Sequence, residues 1–469
     1  MSSYSIPPTV KESLIVEPPV VQECFPTYNH TERQVMKPYP KYKDSGVEWL
    51  GEVPEGWKLK KLKYASCINP TKEATLDKNS SELVTFLPME SVSESGQISC
   101  DNKKPISSMW SGFTYFKKHD VIIAKITPCF ENGKGALLNN LDTEIGFGST
   151  EFHVLRAIEN VSSAFLFYVT RTYQFRLLGE AFMSGAAGQK RVSTDFLENF
   201  FIALPSCSEQ TTIATFLDRK TAEIDTLIAN KERLIKLYEE KKKAVINQAV
   251  TKGLNPDAEM KDSGVEWLGE IPKHWEVKRL RHLFEIKKRI AGELGHDVLS
   301  ITQRGIKVKD IESMDGQISS DYSKYQLVMK GDFAMNHMDL LTGYVDLSKY
   351  NGVTSPDYRV FSLSDTNNCD RYFLYLFQLG YKRKIFYAFG RGAAQFGRWR
   401  FPAEEFKAFG FPIPPVSEQT TIVHHIETQC SRIDAIINKL KKQINLFKEY
   451  RTALISEAVT GKIDVRNNG

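Results

Sequence analysis

A fifteen-residue stretch occurs twice in this chain. "KDSGVEWLGEVPEGW" (43–57) returns 218 residues later as "KDSGVEWLGEIPKHW" (261–275), and twelve of the fifteen positions are identical. A second pair, "PSCSEQTTI" (205–213) and "PPVSEQTTI" (414–422), lies 209 residues apart. Self-similarity at a fixed separation indicates a fold built from repeated units. The chain is therefore predicted to contain two copies of one module.

The repeated motifs enclose two blocks of sequence that differ from each other. Between the motifs only weak similarities recur, such as "SESGQISCD" (93–101) and "SMDGQISSD" (313–321). We expect this contrast if the two copies share a scaffold but bind different ligands. The length of 469 residues also exceeds what one ordinary core accommodates, so at least two domains are expected.

A long helix is predicted at the end of each module. Apolar residues recur at steps of seven, four, seven, three, seven and four, which is a heptad pattern, and no proline interrupts either run. Gly253 and Gly461 follow as stop signals. The apolar positions are Leu217, Ile224, Ile228, Ile235, Tyr238, Val245 and Ala249 in the first helix, and Ile426, Ile433, Ile437, Ile444, Phe447, Leu454 and Ala458 in the second.

Two matching heptad stripes predict that the helices pair as one antiparallel coiled coil. The first helix carries the chain from block one to block two, so its partner must run back toward block one. Forty-odd residues at 1.5 Å each would give a rod of roughly 60 Å with one block at either end, related by a pseudo-twofold axis. The alternative is two separate amphipathic helices, each packed on its own domain.

The blocks are predicted to be mixed α and β. In block one, 120–126 and 151–157 have the character of strands and 165–182 that of a helix; block two repeats this order with strands near 332 and 358 and a helix over 371–389. The predicted class is α+β, with two mixed α/β domains joined by two long helices. The predicted domains are a flexible arm (1–40), mixed domain one (41–207), a central spacer helix (208–255), mixed domain two (256–416) and a C-terminal spacer helix (417–465).

Composition narrows the class of protein. A net charge of +5 and a pI near 8.6 are compatible with nucleic acid as a partner. No run of eighteen apolar residues and no secretory signal is found, so no membrane association is expected. Seven scattered cysteines without a CxxC pair fit reduced thiols in a cytoplasm.

Catalytic motifs are weak or missing in this sequence. It contains no GxxxxGK[ST], no HExxH and no NPPY-like tetrapeptide with paired prolines. An enzyme is therefore disfavoured, no metal site is expected, and recognition is the favoured role. Two alternatives stay open: a fused methyltransferase or nuclease with an unrecognised motif, and a coiled-coil scaffold or adaptor that binds no DNA.

Two small-residue turns are the candidate DNA contacts. "SGAAGQKRVS" (184–193) and "RGAAQFGRWRF" (391–401) occupy corresponding places in the two copies and combine glycine and alanine with Arg, Lys and Gln, which can bind phosphates or base edges. The alternative is a solvated basic loop. Trp49, Trp57, Trp267 and Trp275 are predicted to be packing anchors. The candidate DNA contacts are Lys125, Gln189, Lys190, Arg191, Arg391, Gln395, Arg398 and Arg400.

Taken together, the paired opening motifs, the paired turns, the SEQ helix starts and the endings "QAVTKGL" and "EAVTGKI" resemble the specificity (S) subunit of type I restriction-modification systems. The resemblance covers nearly everything from about residue 36 onward. It implies that each recognition domain reads one half of a bipartite, gapped site in double-stranded DNA, while the helices set the gap and dock the methyltransferase subunits.

The resemblance also implies which subunit of such a complex carries out which reaction. Two modification subunits would supply the S-adenosylmethionine chemistry, and restriction subunits would use ATP and Mg. The chain itself would be non-catalytic, would bind no cofactor and would serve host defence in the cytoplasm. The proline-rich arm departs from the usual start of the family.

Overall fold

The computed structural model describes residues 37–185, 188–310, 322–392 and 399–466. The chain forms two compact units: the described parts of unit one are 37–232 and 441–466, and those of unit two lie within 233–440. Each unit therefore contains part of both long helices. The predicted arm lies outside the described residues apart from 37–40. None of the described helices is both long and apolar enough to cross a membrane.

Unit one combines short strands with short helices and part of each long helix. Two four-stranded sheets have the orders β6-β5-β10-β7 and β4-β11-β8-β9, and β1–β2 and β3–β12 form separate antiparallel pairs. The elements are β1 (Tyr42–Asp44), β2 (Glu52–Pro54), β3 (Lys58–Lys61), β4 (Ser66–Ile68), β5 (Leu83–Leu87), β6 (Lys103–Pro105), α1 (Ile106–Met109), β7 (Thr114–Lys117), β8 (Val121–Ala124), β9 (Gly135–Leu137), β10 (Ile145–Gly148), β11 (Phe152–Ala157), α2 (Ser163–Thr170), α3 (Tyr173–Ala181), α4 (Thr194–Asn199), β12 (Phe201–Leu204) and the long helix α5 (Cys207–Lys252).

Unit two repeats this arrangement with differences. Its four-stranded sheet has the order β16-β23-β20-β21, and the pairs β13–β14 and β15–β24 correspond to β1–β2 and β3–β12. Two further pairs, β17–β18 and β19–β22, stand where unit one has its other sheet. The elements are β13 (Met260–Asp262), β14 (Glu270–Pro272), β15 (Glu276–Arg279), β16 (Phe284–Lys287), β17 (Leu299–Thr302), β18 (Gly305–Val308), β19 (Gln326–Val328), β20 (Phe333–Met335), β21 (Val345–Leu347), β22 (Gly352–Thr354), β23 (Arg359–Leu363), α6 (Asp370–Lys382), α7 (Ala403–Ala408), β24 (Gly410–Ile413) and the long helix α8 (Val416–Val459).

The repeated opening motif forms a hairpin followed by a packing anchor. Its hairpin has the same register in both copies, since Tyr42 faces Pro54 and Met260 faces Pro272. The tryptophan that ends the motif is buried in both, with Trp57 2% and Trp275 0% exposed. The prediction that the tryptophans are packing anchors is confirmed at these positions, as expected of large aromatic groups.

The long helices end just before the predicted glycines, at Lys252 and Val459, so they stop short of the predicted spacers 208–255 and 417–465, and each begins one residue earlier than predicted. Helix α5 starts at Cys207 because the Ser206 hydroxyl accepts a hydrogen bond from the Glu209 amide at 3.3 Å, which is the geometry of an N-terminal cap. At the other ends, Gly253 and Gly461 adopt φ of 74° and 73°. Such left-handed backbone strongly favours glycine, so the stop signals are confirmed.

Within each unit the two long helices run antiparallel. In unit one, Asp225 forms an ion pair with Arg451, and six residues further along α5 the Lys231 Nζ donates to Gln443 Oε1 at 2.9 Å. The residue number thus falls in α8 as it rises in α5. Unit two follows the same rule, since Lys242 Nζ lies 2.7 Å from the Asp434 carboxylate and Gly253 lies against Glu418.

Most of the predicted heptad positions are buried. Four of them, near the middle and ends of the pattern, are only half-buried: Ile235, Tyr238, Val245 and Phe447. The buried positions are Leu217, Ile224, Ile228, Ala249, Ile426, Ile433, Ile437, Ile444, Leu454 and Ala458.

The predicted strands are present with shorter bounds, but the predicted helix over 165–182 is wrong. The structure breaks it into α2 and α3, because the Thr172 hydroxyl accepts from the Phe175 amide at 3.3 Å and starts a new helix. In block two the helix predicted over 371–389 ends at Lys382, and a 3-10 turn follows at Phe386–Phe389.

A buried glutamine ties each block to its long helix. Gln210 and Gln419, from the two SEQ motifs, are 1% and 0% exposed. In unit one the Gln210 amide accepts from the Ser162 amide at 2.8 Å and donates to the Pro205 carbonyl at 3.0 Å. Gln419 makes the corresponding bonds with Cys369 and Pro414. The sequence showed this motif in both copies without revealing this role.

Candidate nucleic-acid interface

The first small-residue turn is a closed hairpin in unit one. Ser184 and Arg191 exchange backbone hydrogen bonds of 3.1 and 2.9 Å at its base. Gly185 adopts a φ of 139°, and a Cβ there would lie 2.5 Å from the Gln189 carbonyl oxygen. The glycine is therefore needed for the hairpin to close on itself. Residues 186 and 187 lie outside the described residues.

The base of this hairpin is anchored on the sheet of β8 and β11. The Val192 amide donates to the Lys125 carbonyl at 2.8 Å, just beyond the end of β8. His153 of β11, 4% exposed, donates through Nε2 to the Val192 carbonyl at 2.9 Å, while its Nδ1 accepts from the Asn69 amide at 3.1 Å. Burial lowers the pKa of His153, which keeps the ring neutral and suits these two bonds.

The second turn is anchored at the same sites in unit two. Arg391 and Arg400 exchange backbone bonds of 2.8 and 3.0 Å, and the Phe401 amide donates to the His337 carbonyl at 2.8 Å. Arg359 of β23 takes the place of His153, since its Nη2 donates to the Phe401 carbonyl at 3.0 Å. The strand register agrees with this equivalence. His153 pairs with Ile123, two residues before Lys125, and Arg359 pairs with Met335, two residues before His337.

Arg359 is a buried cation beneath the second hairpin. It is 5% exposed, its guanidinium lies 4.6 Å from the centre of the Phe406 ring, and its Nη1 has no hydrogen-bond partner among the described residues. Burial lowers its pKa to about 10, so it stays charged at neutral pH. Burial also lowers the pKa of nearby His337 to about 4, with the charges of Arg359 and Arg400 adding to the effect.

The candidate contacts of block one differ in how far their side chains are free to bind DNA. Gln189 and Lys190 are exposed on the hairpin, and Lys125 is half-buried at its base. Arg191 instead holds Glu151 in a two-pronged ion pair, with Nε to Oε2 at 2.9 Å and Nη2 to Oε1 at 2.8 Å. This pair lowers the pKa of Glu151. The guanidinium of Arg191 is thus already used within the block.

In block two, likewise, one candidate arginine is already held in an ion pair and another is not. Arg391 is exposed, but its Nη2 lies 2.5 Å from Glu405 Oε1. Arg400 is also exposed and forms no ion pair with any residue that the structure describes. Trp399 donates its indole N–H to the Tyr387 carbonyl at 2.7 Å, which fixes the hairpin beside Arg400. Gln395 and Arg398 lie outside the described residues and stay predictions.

The structure thus brings the candidates of each block to one hairpin base, and it adds residues that sequence reasoning missed. Within the described residues, Lys125, Gln189, Lys190 and Arg191 share the first hairpin and Arg391 and Arg400 the second. The anchors His153, His337 and Arg359 were missed. Their signal was weak: His153 and Arg359 are basic residues in largely apolar strands, which periodicity alone treats as exceptions, and His337 follows the end of β20.

Comparison with known proteins places this architecture in a family. The pattern of the type I restriction modification DNA specificity domain matches residues 54–237 and 272–446. The specificity subunit of the type I restriction enzyme EcoEI from Escherichia coli is 35% identical over 182 residues, which are 38% of this chain and 30% of that protein. The match therefore covers less than a third of that relative.

Two solved structures share the fold. A chain from work on complex assembly and conformational transition of the type I R-M system aligns with a TM-score of 0.66 and 17% identity, covering 87% of this chain and 98% of that one. The HsdS subunit from Thermoanaerobacter tengcongensis aligns with a TM-score of 0.53 and 16% identity, covering 90% of this chain and 100% of that one. With two matched domains that span both repeats, the chain belongs to the type I restriction modification DNA specificity domain family.

Proposed function

We propose that this chain is the sequence-specific DNA-binding specificity subunit of a type I restriction-modification complex. Each block would read one half of a bipartite, gapped site in double-stranded DNA, and the paired helices would set the spacing and dock the methyltransferase subunits. The observation that carries this proposal is the pair of hairpins. They are anchored at equivalent positions in both units, whereas the exposed side chains they present differ.

This combination suits two readers with different targets. A hairpin whose base is fixed by buried hydrogen bonds presents its side chains at little entropic cost on binding. In block one, Lys190 offers a flexible point charge for phosphate and Gln189 an amide for a base edge. In block two, Arg400 offers a planar fork that matches two acceptors of guanine. Different donors on equivalent frames would select different half-sites.

The chemistry of modification and cleavage would belong to other subunits. We propose that the chain is non-catalytic, binds no cofactor and works in the cytoplasm. S-adenosylmethionine would be held by two modification subunits, and ATP and Mg by restriction subunits. The relative from Escherichia coli is likewise named a specificity subunit of a restriction enzyme.

The direct test is genome-wide mapping of methylated bases in cells that co-express this chain with the methyltransferase subunit encoded beside it. We expect a gapped motif of two short halves that disappears when this chain is omitted. Exchange of residues 60–200 for the block of another family member should change one half of the motif only. A swap that altered both halves would refute the two-reader arrangement. If the chain binds the methyltransferase but no methylation depends on it, the scaffold alternative would be supported instead.

A further inference from the structure

Three arginines in unit one lie near the contact between α3 and α8, and one of them pairs with a carboxylate. Arg451 of α8 forms an ion pair with Asp225 of α5. Arg171 and Arg176 both lie against Gly133, since Arg171 donates to its carbonyl at 2.7 Å and a Cβ at Gly133 would lie 3.3 Å from Arg176 Nη1. The buried Nε of Arg176 has no partner among the described residues. Desolvation lowers the pKa of both arginines, and the charge of Arg451 lowers it further.

Unit two has a basic cluster at its own helix junction. Lys242 lies 2.7 Å from the Asp434 carboxylate. Burial first, and then the charges of Lys242 and Lys243, lower the pKa of Lys382 at the end of α6. Arg383 follows directly, and its Nη1 donates to Asn247 Oδ1 of α5 at 3.0 Å. The end of α6 thus brings Lys382 and Arg383 against the part of α5 that carries Lys242 and Lys243, and Asp434 is the carboxylate that contacts Lys242.

The two clusters occupy equivalent places in the repeat. Asp225 and Asp434 are 209 residues apart, and so are Lys242 and Arg451, which is the separation of the SEQ motifs. In unit one the remaining cations, Arg171 and Arg176, follow β11; in unit two Lys382 and Arg383 lie at the end of α6, after β23, and Lys243 lies on α5. Lys242 in unit two occupies the position of Arg451 in unit one, so the positive charge is kept while the side-chain type differs. Like charges gathered in a partly desolvated place are costly unless an anion joins them.

The position of the clusters favours a protein partner over DNA. In unit one, Arg176 lies near the start of α3, whose Tyr173 amide donates to Ser456 of α8 at 3.0 Å, whereas the hairpin follows the far end of that helix. Five residues at 1.5 Å each place Arg176 roughly 8 Å before the end of α3 at Ala181. Because the two ion pairs, Asp225 with Arg451 and Asp434 with Lys242, join the long helices, the clusters belong to the repeated scaffold rather than to the hairpins. A repeated scaffold is suited to a partner that is present twice.

We propose that each cluster docks an acidic segment, rich in Asp and Glu, of one modification subunit, so that the two clusters seat two such subunits. This inference rests on the proposed function, and it adds the surface and the charge of the partner that fits it. The exchange of arginine for lysine fits a surface that recognises charge, because the two side chains are not interchangeable where a planar fork must bind.

The test is native mass spectrometry of the complex formed by the full chain and its co-expressed methyltransferase subunit. Lys243→Glu with Arg383→Glu reverses exposed charges in unit two, and Arg176→Glu with Arg451→Glu reverses half-buried charges in unit one. Each pair should remove one modification subunit, and all four changes should remove both. Titration should show at least about tenfold weaker docking, and wild-type docking should weaken as salt is raised above about 150 mM.

Matched controls separate charge from folding. Lys78→Glu with Lys349→Glu makes the same charge change at exposed positions in the blocks and should keep both subunits. Arg451→Lys keeps the charge and should also keep them, while circular dichroism verifies that each variant is folded.

The outcomes that contradict the inference are distinct. Reversed variants that still bind two modification subunits with wild-type affinity would overturn the inference alone. Variants that retain both subunits but lose DNA binding would overturn it in favour of phosphate contact. A wild-type chain that binds no modification subunit would overturn the proposed function and this inference together.

Discussion

The two tryptophans that end the opening motifs provide a matched pair for measuring one hydrogen bond. Both are buried, but the Trp275 indole N–H lies 3.1 Å from each oxygen of Glu418, whereas the Trp57 indole N–H is buried without a partner among the described residues. In unit one the equivalent carboxylate, Glu209, accepts from the Tyr39 hydroxyl at 2.8 Å instead.

Substitution of either tryptophan by phenylalanine removes similar volume, so the cost of the lost packing should be comparable. Trp275→Phe also loses a hydrogen bond to a charged acceptor, which is worth about 1.5–3 kcal/mol. Trp57→Phe loses no such bond and removes an unsatisfied buried donor, which should recover about 1–3 kcal/mol. We therefore expect Trp275→Phe to be the more destabilising change by about 2.5–6 kcal/mol, the sum of the two effects.

The assay is urea unfolding followed by far-ultraviolet circular dichroism, with hydrogen exchange of peptides from each unit to show which unit is weakened. Circular dichroism is preferred over fluorescence because each substitution removes one of the six tryptophans and so changes the fluorescence signal itself. Equal losses of stability in the two variants, within about 0.5 kcal/mol, or a larger loss for Trp57→Phe, would refute the reasoning.

Four further changes test the block anchors and the hairpins. Gln210→Ala should lower the free energy of unfolding by about 2–3 kcal/mol, because it leaves a buried amide and a buried carbonyl without partners, and thermal melting would show it. The pKa of His337 is about 4 in the folded state and about 6.5 when unfolded, so its neutral form favours folding above pH 6.5 and stability is lost as the pH falls toward 4. His337→Gln should remove up to about 3 kcal/mol of that loss, and parallel pH dependences of the two proteins would contradict this. In salt titrations of DNA binding by the assembled complex, Lys190→Ala should reduce the slope by about one counterion. Arg191→Ala should instead lower the melting temperature of block one, because it leaves Glu151 without its partner, and an unchanged melting temperature would contradict this assignment.

The sequence predicted the parts of this fold that repeat. Identical spacing of the apolar positions in the two helices predicted their length and antiparallel pairing, and glycine at 253 and 461 predicted where they end. These features are local or periodic, so they can be read from one chain. The break between α2 and α3 was missed because a single threonine cap competes with an unbroken apolar pattern.

The candidate interface was harder to predict than the fold. The positions of both hairpins followed from their small residues, but the pairing of Arg191 with Glu151 and of Arg391 with Glu405 depends on tertiary contacts. The sequence shows which residues carry charge and does not show which of them are already neutralised within the fold. Likewise, nothing local distinguishes His153 and Arg359 as equivalent anchors, because they differ in type and become comparable only through the strand register.

The boundaries of the compact units do not coincide with those of the repeated modules. Unit one holds block one, the first part of α5 and the last part of α8, and unit two holds block two with the remaining parts. Each module thus contributes half a helix to the folding of the other. In the evolution of such a gene, recombination can exchange each block singly. The two helices have to be inherited together, because each unit needs part of both. A single module translated alone would have to find a second copy of itself before either unit could be completed.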